Sequence, residues 1–224
     1  MPSLDIIVDP ARWTPEGVSA IATAAIAVFT IVLVWVTSRQ ARLTKEALIA
    51  DKRAFVFAKN IFPVWELDRQ TGEYNWRFRP VWENSGDTPT KGMTLYVDCE
   101  LRNTILPQGF DFTRTTIPAG PGMLGPRATS TGGAAPHYPV AAITPTDIVD
   151  IQAGKKFLYL WGWVRYWDVF PKTPQHITRF CWQIMPLGNP KNYNPAQVPG
   201  APESLNFGYL HQSEGNCADE ECPQ

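Results

Sequence analysis

The sequence has no surplus of charge of either sign: 20 Lys and Arg stand against 21 Asp and Glu, a formal net charge of -1. Binding a nucleic-acid backbone needs a face rich in Lys and Arg, so neither DNA nor RNA is an expected partner. Charge of any kind is scarce, at 18% of the 224 residues, where ordinary soluble domains carry roughly 25%. There is no heptad and no internal repeat, and 44% of the residues are hydrophobic, which excludes a coiled coil, collagen and a wholly disordered chain. The glycine-rich stretch 125–133 is not followed by Lys-Ser or Lys-Thr. A phosphate loop there would lack its cation, and nucleotide binding is not expected.

What the sequence does have is one long uncharged run. Residues 17–36 hold twenty residues with no Asp, Glu, Lys or Arg, and as a helix they would extend about 30 Å, the thickness of a bilayer's hydrocarbon core. Thr14 can cap this helix, Pro15 suits its first position, and Glu16 sits at the positive end of the dipole. Trp13 and Trp35 fall near the two ends, where indole rings favour the boundary between acyl tails and head groups. A buried core helix would keep a polar face, and this run offers only Ser19, Thr23 and Thr30. The segment before it carries Asp5, Asp9 and Glu16 against Arg12, the reverse of the basic start of a cleaved signal peptide. The expectation is therefore a retained transmembrane helix over residues 15–36, preceded by a short arm, 1–14, with the lipid bilayer as its partner.

Lys and Arg set the expected direction. Arg12 precedes the run, whereas Arg39, Arg42, Lys45, Lys52 and Arg53 follow it, and positive flanks stay in the cytoplasm. This places everything after residue 36 in the cytosol and leaves Cys99, Cys181, Cys217 and Cys222 as reduced thiols. A domain outside the cytoplasm is the alternative, and there a Cys217–Cys222 disulfide becomes the preferred pairing. Residues 37–53 have high helix propensity and no breaker, so the helix should continue beyond the bilayer as a basic stalk.

Beyond residue 53 the texture changes to short apolar and aromatic runs separated by Pro, Gly and Asn. Candidate strands are 54–59, 74–82, 93–101, 110–117, 147–152, 157–167 and 176–184. Such a series predicts a mainly β domain over residues 54–185, with the immunoglobulin-like β-sandwich as its fold. The run from Glu83 to Pro89 reads as a structural turn in which Gly86 supplies positive φ. Residues 118–145 form a long Pro- and Gly-rich loop, and residues 186–224 an irregular tail.

The chemistry-bearing residues do not converge. Asp168, His176 and Cys181 are the right types for a thiol nucleophile with its base and orienting carboxylate, but on one strand His176 and Cys181 have opposite parity and diverge. Cys181, between Phe180 and Trp182, reads as a small core residue, and Asp168 as an acceptor of turn hydrogen bonds. His211, Cys217 and Cys222 lack a fourth zinc ligand and the tight cysteine spacing of zinc sites. No catalytic, cofactor-binding or metal residue is assigned, and no cofactor is expected. In strand 157–167 the rings of Phe157, Tyr159, Trp161 and Trp163 alternate onto one face, while the other face is apolar as well. One face must be covered by a helix or loop, or must meet another protein or a lipid surface, and the loop 118–145 is the expected cover.

Taken with the stalk, the stretches Lys52 to Phe57, Glu83 to Thr90, Tyr166 to Phe170 and His176 to Trp182 resemble a broad group of uncharacterised single-pass bacterial membrane proteins, many of them proteobacterial. The resemblance covers residues 15–185. It implies a sandwich-like domain anchored in a bacterial inner membrane and brings no activity or site residues with it. The resulting expectation is a membrane-anchored, non-enzymatic interaction or accessory module with a protein partner. A small-ligand receptor or enzyme, with a pocket under the 118–145 loop, is the alternative.

Overall fold

The computed structural model describes residues 14–67, 72, 74–112, 122–131, 143, 145–188 and 205–222. Trp13 and the arm before it, positions 113–117 of one expected strand, and most of the 118–145 loop lie outside the described residues.

The chain divides into two units, Met1–Asp51 and Lys52–Gln224. The first is occupied by α1, Pro15–Lys52, an unbroken helix of 38 residues that joins the apolar run to the basic stalk. Its start follows the sequence signals, with the backbone N–H of Gly17 donating to Thr14 Oγ1 at 3.3 Å. Thr23 and Thr30 donate to the carbonyls of Ser19 and Ile26, each at 2.8 Å, so these hydroxyls are satisfied within the helix. None of its residues is buried within the protein, and the helix is long and apolar enough to cross a membrane.

The second unit is mainly β and consists of two antiparallel sheets. In the first, β1 (Val56–Leu67) pairs with β2 (Tyr74–Asn84), and the short β4 (Thr129–Thr131) adds to the far edge of β2. In the second, β3 (Lys91–Arg102), β5 (Phe157–Trp167) and β6 (His176–Gly188) lie side by side. The far edge of β6 is shared: β7 (Leu205–His211) runs along its C-terminal half, and β8 (Cys217–Ala218) along Thr178 and Arg179.

The sheets face each other across one core. Leu158, Leu160 and Val164 of β5 and Phe180, Trp182 and Ile184 of β6 meet Val56, Trp76, Phe78 and Trp82 of the first sheet. Trp82 sets its edge against Phe180 with ring centroids 5.4 Å apart. Even-numbered positions of β5 thus point inward, as a strand's alternation requires.

Three expectations are corrected. Residues 147–152 form a helix, α2 (Pro145–Gln152), instead of a strand: Ile148 and Ile151, three positions apart, bury the same side, and Pro145 occupies the first helical position. Phe110 and Phe112, placed by sequence in a strand, lie in irregular chain. The tail also joins the sheet. Phe207 of β7 sets its ring edge-on to Trp76 at 4.8 Å and to Phe78 at 5.0 Å, and Tyr209 stacks on Trp182 at 4.7 Å. Leu205, Phe207 and Tyr209 do alternate with Asn206 and Gly208, but the pattern is short and sits in a tail whose Pro, Asn, Gly and acidic composition pointed to irregular chain.

Candidate functional site

Among the described residues, a cluster of polar groups surrounds the first residues of the domain, 52–56. The turn from Glu83 to Thr90 closes on this segment, and Asn84, fully buried, is its centre. Asn84 Oδ1 accepts the backbone N–H groups of Phe55 at 3.1 Å and Gly86 at 3.0 Å, while Nδ2 donates to the carbonyls of Thr88 at 2.8 Å and Gly125 at 3.0 Å. One amide side chain thereby ties three chain segments together, which neither Ala nor Asp could do.

Gly86 is required here for a different reason from the one its turn position implied. It is absent from the residues with positive φ; instead, a Cβ would stand 2.0 Å from the carbonyl oxygen of Arg53 and 2.7 Å from Ala54 Cα. The turn presses backbone to backbone against residues 53 and 54, and only glycine permits that approach.

Charge and hydroxyl groups complete the clasp. Lys52 Nζ meets Asp87 Oδ2 at 2.7 Å, Arg127 Nη2 meets Asp87 Oδ1 at 2.8 Å, and Thr88 Oγ1 donates to the carbonyl of Lys52 at 2.9 Å. The Lys52 ammonium, and then the Arg127 guanidinium, hold the Asp87 carboxyl below the usual carboxylate range. From the second sheet, Tyr166 Oη receives the backbone N–H of Val56 at 3.1 Å and donates to the carbonyl of Ala54 at 3.3 Å. Burial pushes the Tyr166 phenol up to about 12, so it stays a donor.

Tyr166 also packs on His176, with ring centroids 5.3 Å apart. His176 is buried between two carboxylates: Nε2 lies 3.2 Å from Asp168 Oδ2, and Nδ1 lies 3.1 Å from both oxygens of Asp219. Asp219 further accepts the backbone N–H of Ile177 at 3.2 Å and pairs with Arg53 Nη1 at 3.5 Å.

The structure thus brings Asp168 and His176 together but leaves Cys181 elsewhere. Cys181 is fully buried with Tyr159, Trp161 and Phe110 on the opposite face of the sheet, and burial pushes its thiol up to about 12. A thiol in that setting is not a nucleophile. Asp168 instead accepts the backbone N–H of Phe170 at 2.8 Å and the Thr173 hydroxyl at 2.6 Å, fixing the turn between β5 and β6.

Comparison with known protein families, curated proteins and solved structures finds no match to this chain.

The remaining sequence candidates are engaged in structure. His211 Nδ1 accepts Trp182 Nε1–H at 3.0 Å. Cys217 and Cys222 are joined in a disulfide, with Cα atoms 5.1 Å apart, where a cytosolic placement had predicted free thiols. The bridge closes a loop of which Asp219 is part, and Asp219 adopts positive φ, 48°, within it. Among the described residues no group of three or more His, Cys, Asp or Glu could hold a metal ion. In the 118–145 loop, Leu124 and Gly125 present their carbonyls to Asn84, and Arg127 binds Asp87, so this part belongs to the clasp.

Among the described residues the second face of the aromatic strand is covered in part by a segment the sequence did not single out as its cover, and most of the 118–145 loop expected to cover it lies outside the described residues. Leu106, Phe110 and Phe112, which follow β3, lie over Tyr159, Trp161 and Cys181, with Phe110 edge-on to Trp161 at 5.2 Å. Sequence reasoning read Phe110 and Phe112 as a strand of their own and missed their role as a lid. It also missed Asn84, Tyr166 and Asp219 as partners of residues 52–56. The one local signal was the cluster of side-chain hydrogen-bonding residues from Asn84 to Thr88.

Proposed function

We propose that the protein is a single-pass protein of a bacterial inner membrane whose β domain, of immunoglobulin-like type, acts as a non-enzymatic interaction or accessory module on the cytoplasmic side. One observation carries the anchor: the uncharged part of α1 exposes large apolar side chains such as Ile26, Phe29, Ile31 and Trp35, each more than half exposed. In water this surface would be strongly unfavourable; in acyl chains it is matched. Arg39 stands 5.7 Å over the Trp35 ring, a pairing suited to the level of the head groups. The resemblance to single-pass bacterial membrane proteins belongs to the same reading. The accessory role is supported by the employment of Asp168, His176 and Cys181 in packing and turn formation.

The cytoplasmic side follows from the excess of Lys and Arg after the apolar run. The Cys217–Cys222 disulfide favours a second reading, with the domain on the oxidising side of the membrane. A reporter that fluoresces only in the cytoplasm, fused after Gln224, should be bright, and replacing Arg39, Arg42 and Lys45 by Glu should weaken it. A dark fusion, with an active periplasmic phosphatase fused at the same point, would establish the second reading. Full-length protein should remain with membranes through an alkaline carbonate wash; its release would refute the anchor.

A further inference from the structure

Several cations of the domain meet a carboxylate: Lys52, Arg53, Lys59, Arg102, Arg127 and Lys156. Two arginines on the outer face of the second sheet differ. Among the described residues neither Arg165 nor Arg179 is ion-paired with a carboxylate. Arg165 is exposed and lays its guanidinium over the Trp163 ring at 4.8 Å. Arg179 is only 9% exposed, and its Nε has no hydrogen-bond partner.

These two side chains share one face. The register sets Trp163 opposite Arg179 and Arg165 opposite Ile177, so Arg165 and Arg179 are diagonal neighbours on the same side of the pleat. Trp163, stacked on Tyr96 at 6.1 Å, lies alongside both. Burial, and next the Arg165 charge, hold the Arg179 guanidinium below its usual range, with Asp111 acting in the opposite sense. A buried guanidinium beside a like charge is unfavourable unless an anion is supplied, and the flanking aromatic rings strengthen any ion pair formed there by excluding water.

We propose that Arg165 and Arg179, beside Trp163, form a binding site for a phosphate group. Two guanidinium groups at diagonal positions of neighbouring strands offer more donors than one carboxylate can accept, whereas a tetrahedral oxyanion presents oxygens to both and compensates more than one positive charge. The phosphate is either free in solution or carried by a lipid headgroup; both present the same oxyanion. The site is independent of the side of the membrane on which the domain lies.

The test is titration calorimetry of inorganic phosphate into the full-length protein in zwitterionic detergent, with chloride at matched ionic strength as the reference. Saturable binding is expected, weakened at least about tenfold by Arg165→Gln and by Arg179→Gln, and unchanged by Lys155→Gln. Arg165 is exposed, so its replacement tests the site even where loss of Arg179 disturbs folding. Absence of saturable binding, or affinity unaltered by both arginine substitutions, overturns the assignment. Repeating the titration in phosphatidylcholine nanodiscs, whose headgroup carries a phosphate without net charge, against a phosphate-free zwitterionic detergent then identifies the source. Weaker phosphate binding in the discs than in the detergent indicates that lipid phosphate occupies the site, and equal binding indicates a soluble ligand; both outcomes require it.

Discussion

Asp219 turns both carboxylate oxygens toward Nδ1 of His176, each at 3.1 Å, across 43 residues of sequence. The same carboxylate binds the backbone N–H of Ile177 and reaches Arg53. A loop near the C-terminus is thereby joined to the first residues of the domain. Asp219→Ala should cost about 1–3 kcal/mol, because buried donors lose their acceptor. Asp219→Asn, which keeps an acceptor oxygen and tolerates positive φ, should cost less. Urea unfolding of the unit 52–224, followed by tryptophan fluorescence, gives both values; equal losses would show that geometry at Asp219 matters more than its oxygens.

The contact at Gly86 makes a sharper prediction. A methyl group there meets backbone atoms of Arg53 and Ala54 inside contact distance, and backbone yields far less readily than a side-chain tip. Gly86→Ala should destabilise the unit by about 1–3 kcal/mol or more. Ser85→Ala, which removes the hydroxyl's 3.4 Å bond to the carbonyl of Phe55 but keeps the backbone N–H bond to the same carbonyl at 2.9 Å, should cost about 0.5–1.5 kcal/mol. Comparable losses for the two variants would argue against the close approach.

Trp161 is 1% exposed beneath Phe110. Trp161→Ala should cost about 3–5 kcal/mol in chemical denaturation of the same unit, the penalty for truncating a buried large aromatic. A loss below about 1 kcal/mol would mean that the ring contributes little to the core and that the segment carrying Phe110 does not cover it.

Acid should loosen the clasp through Asp87. Its carboxyl is held below the usual range in the folded protein, so the contribution of its pairs with Lys52 and Arg127 is fully present above the unfolded carboxylate value, about 3.9. That contribution fades as pH falls through the lower folded value. Asp87→Asn should therefore lower the midpoint of thermal unfolding at pH 7 and bring wild type and variant together towards pH 2. A gap that stayed constant over this range would exclude the ion pairs as its cause.

Some of this molecule was legible in the chain alone. The limits of α1 follow from local signals, a capping threonine, a proline, and a run free of charge that no alternation interrupts. The bounds of β5, Phe157–Trp167, coincide with those expected, because a run of large apolar residues on both faces, interrupted only by Gly162 and Arg165, admits little else. Both depend on residues near one another in sequence, where backbone geometry and hydrophobicity act directly. Tertiary structure decided the rest. That Leu106, Phe110 and Phe112 lie over Trp161 was not legible, because apolar composition states that a face needs cover and is silent on which chain supplies it. In α2, Ile148 and Ile151 became helical through burial of one side. Residues 205–218 joined the second sheet because β6 presents a free edge, which no local pattern in Asn206 or Gly208 records. Asn84, Tyr166 and Asp219 converge on residues 52–56 from three distant segments, since a hydrogen bond depends on distance in space, and only the packing of the two sheets brings those segments within reach.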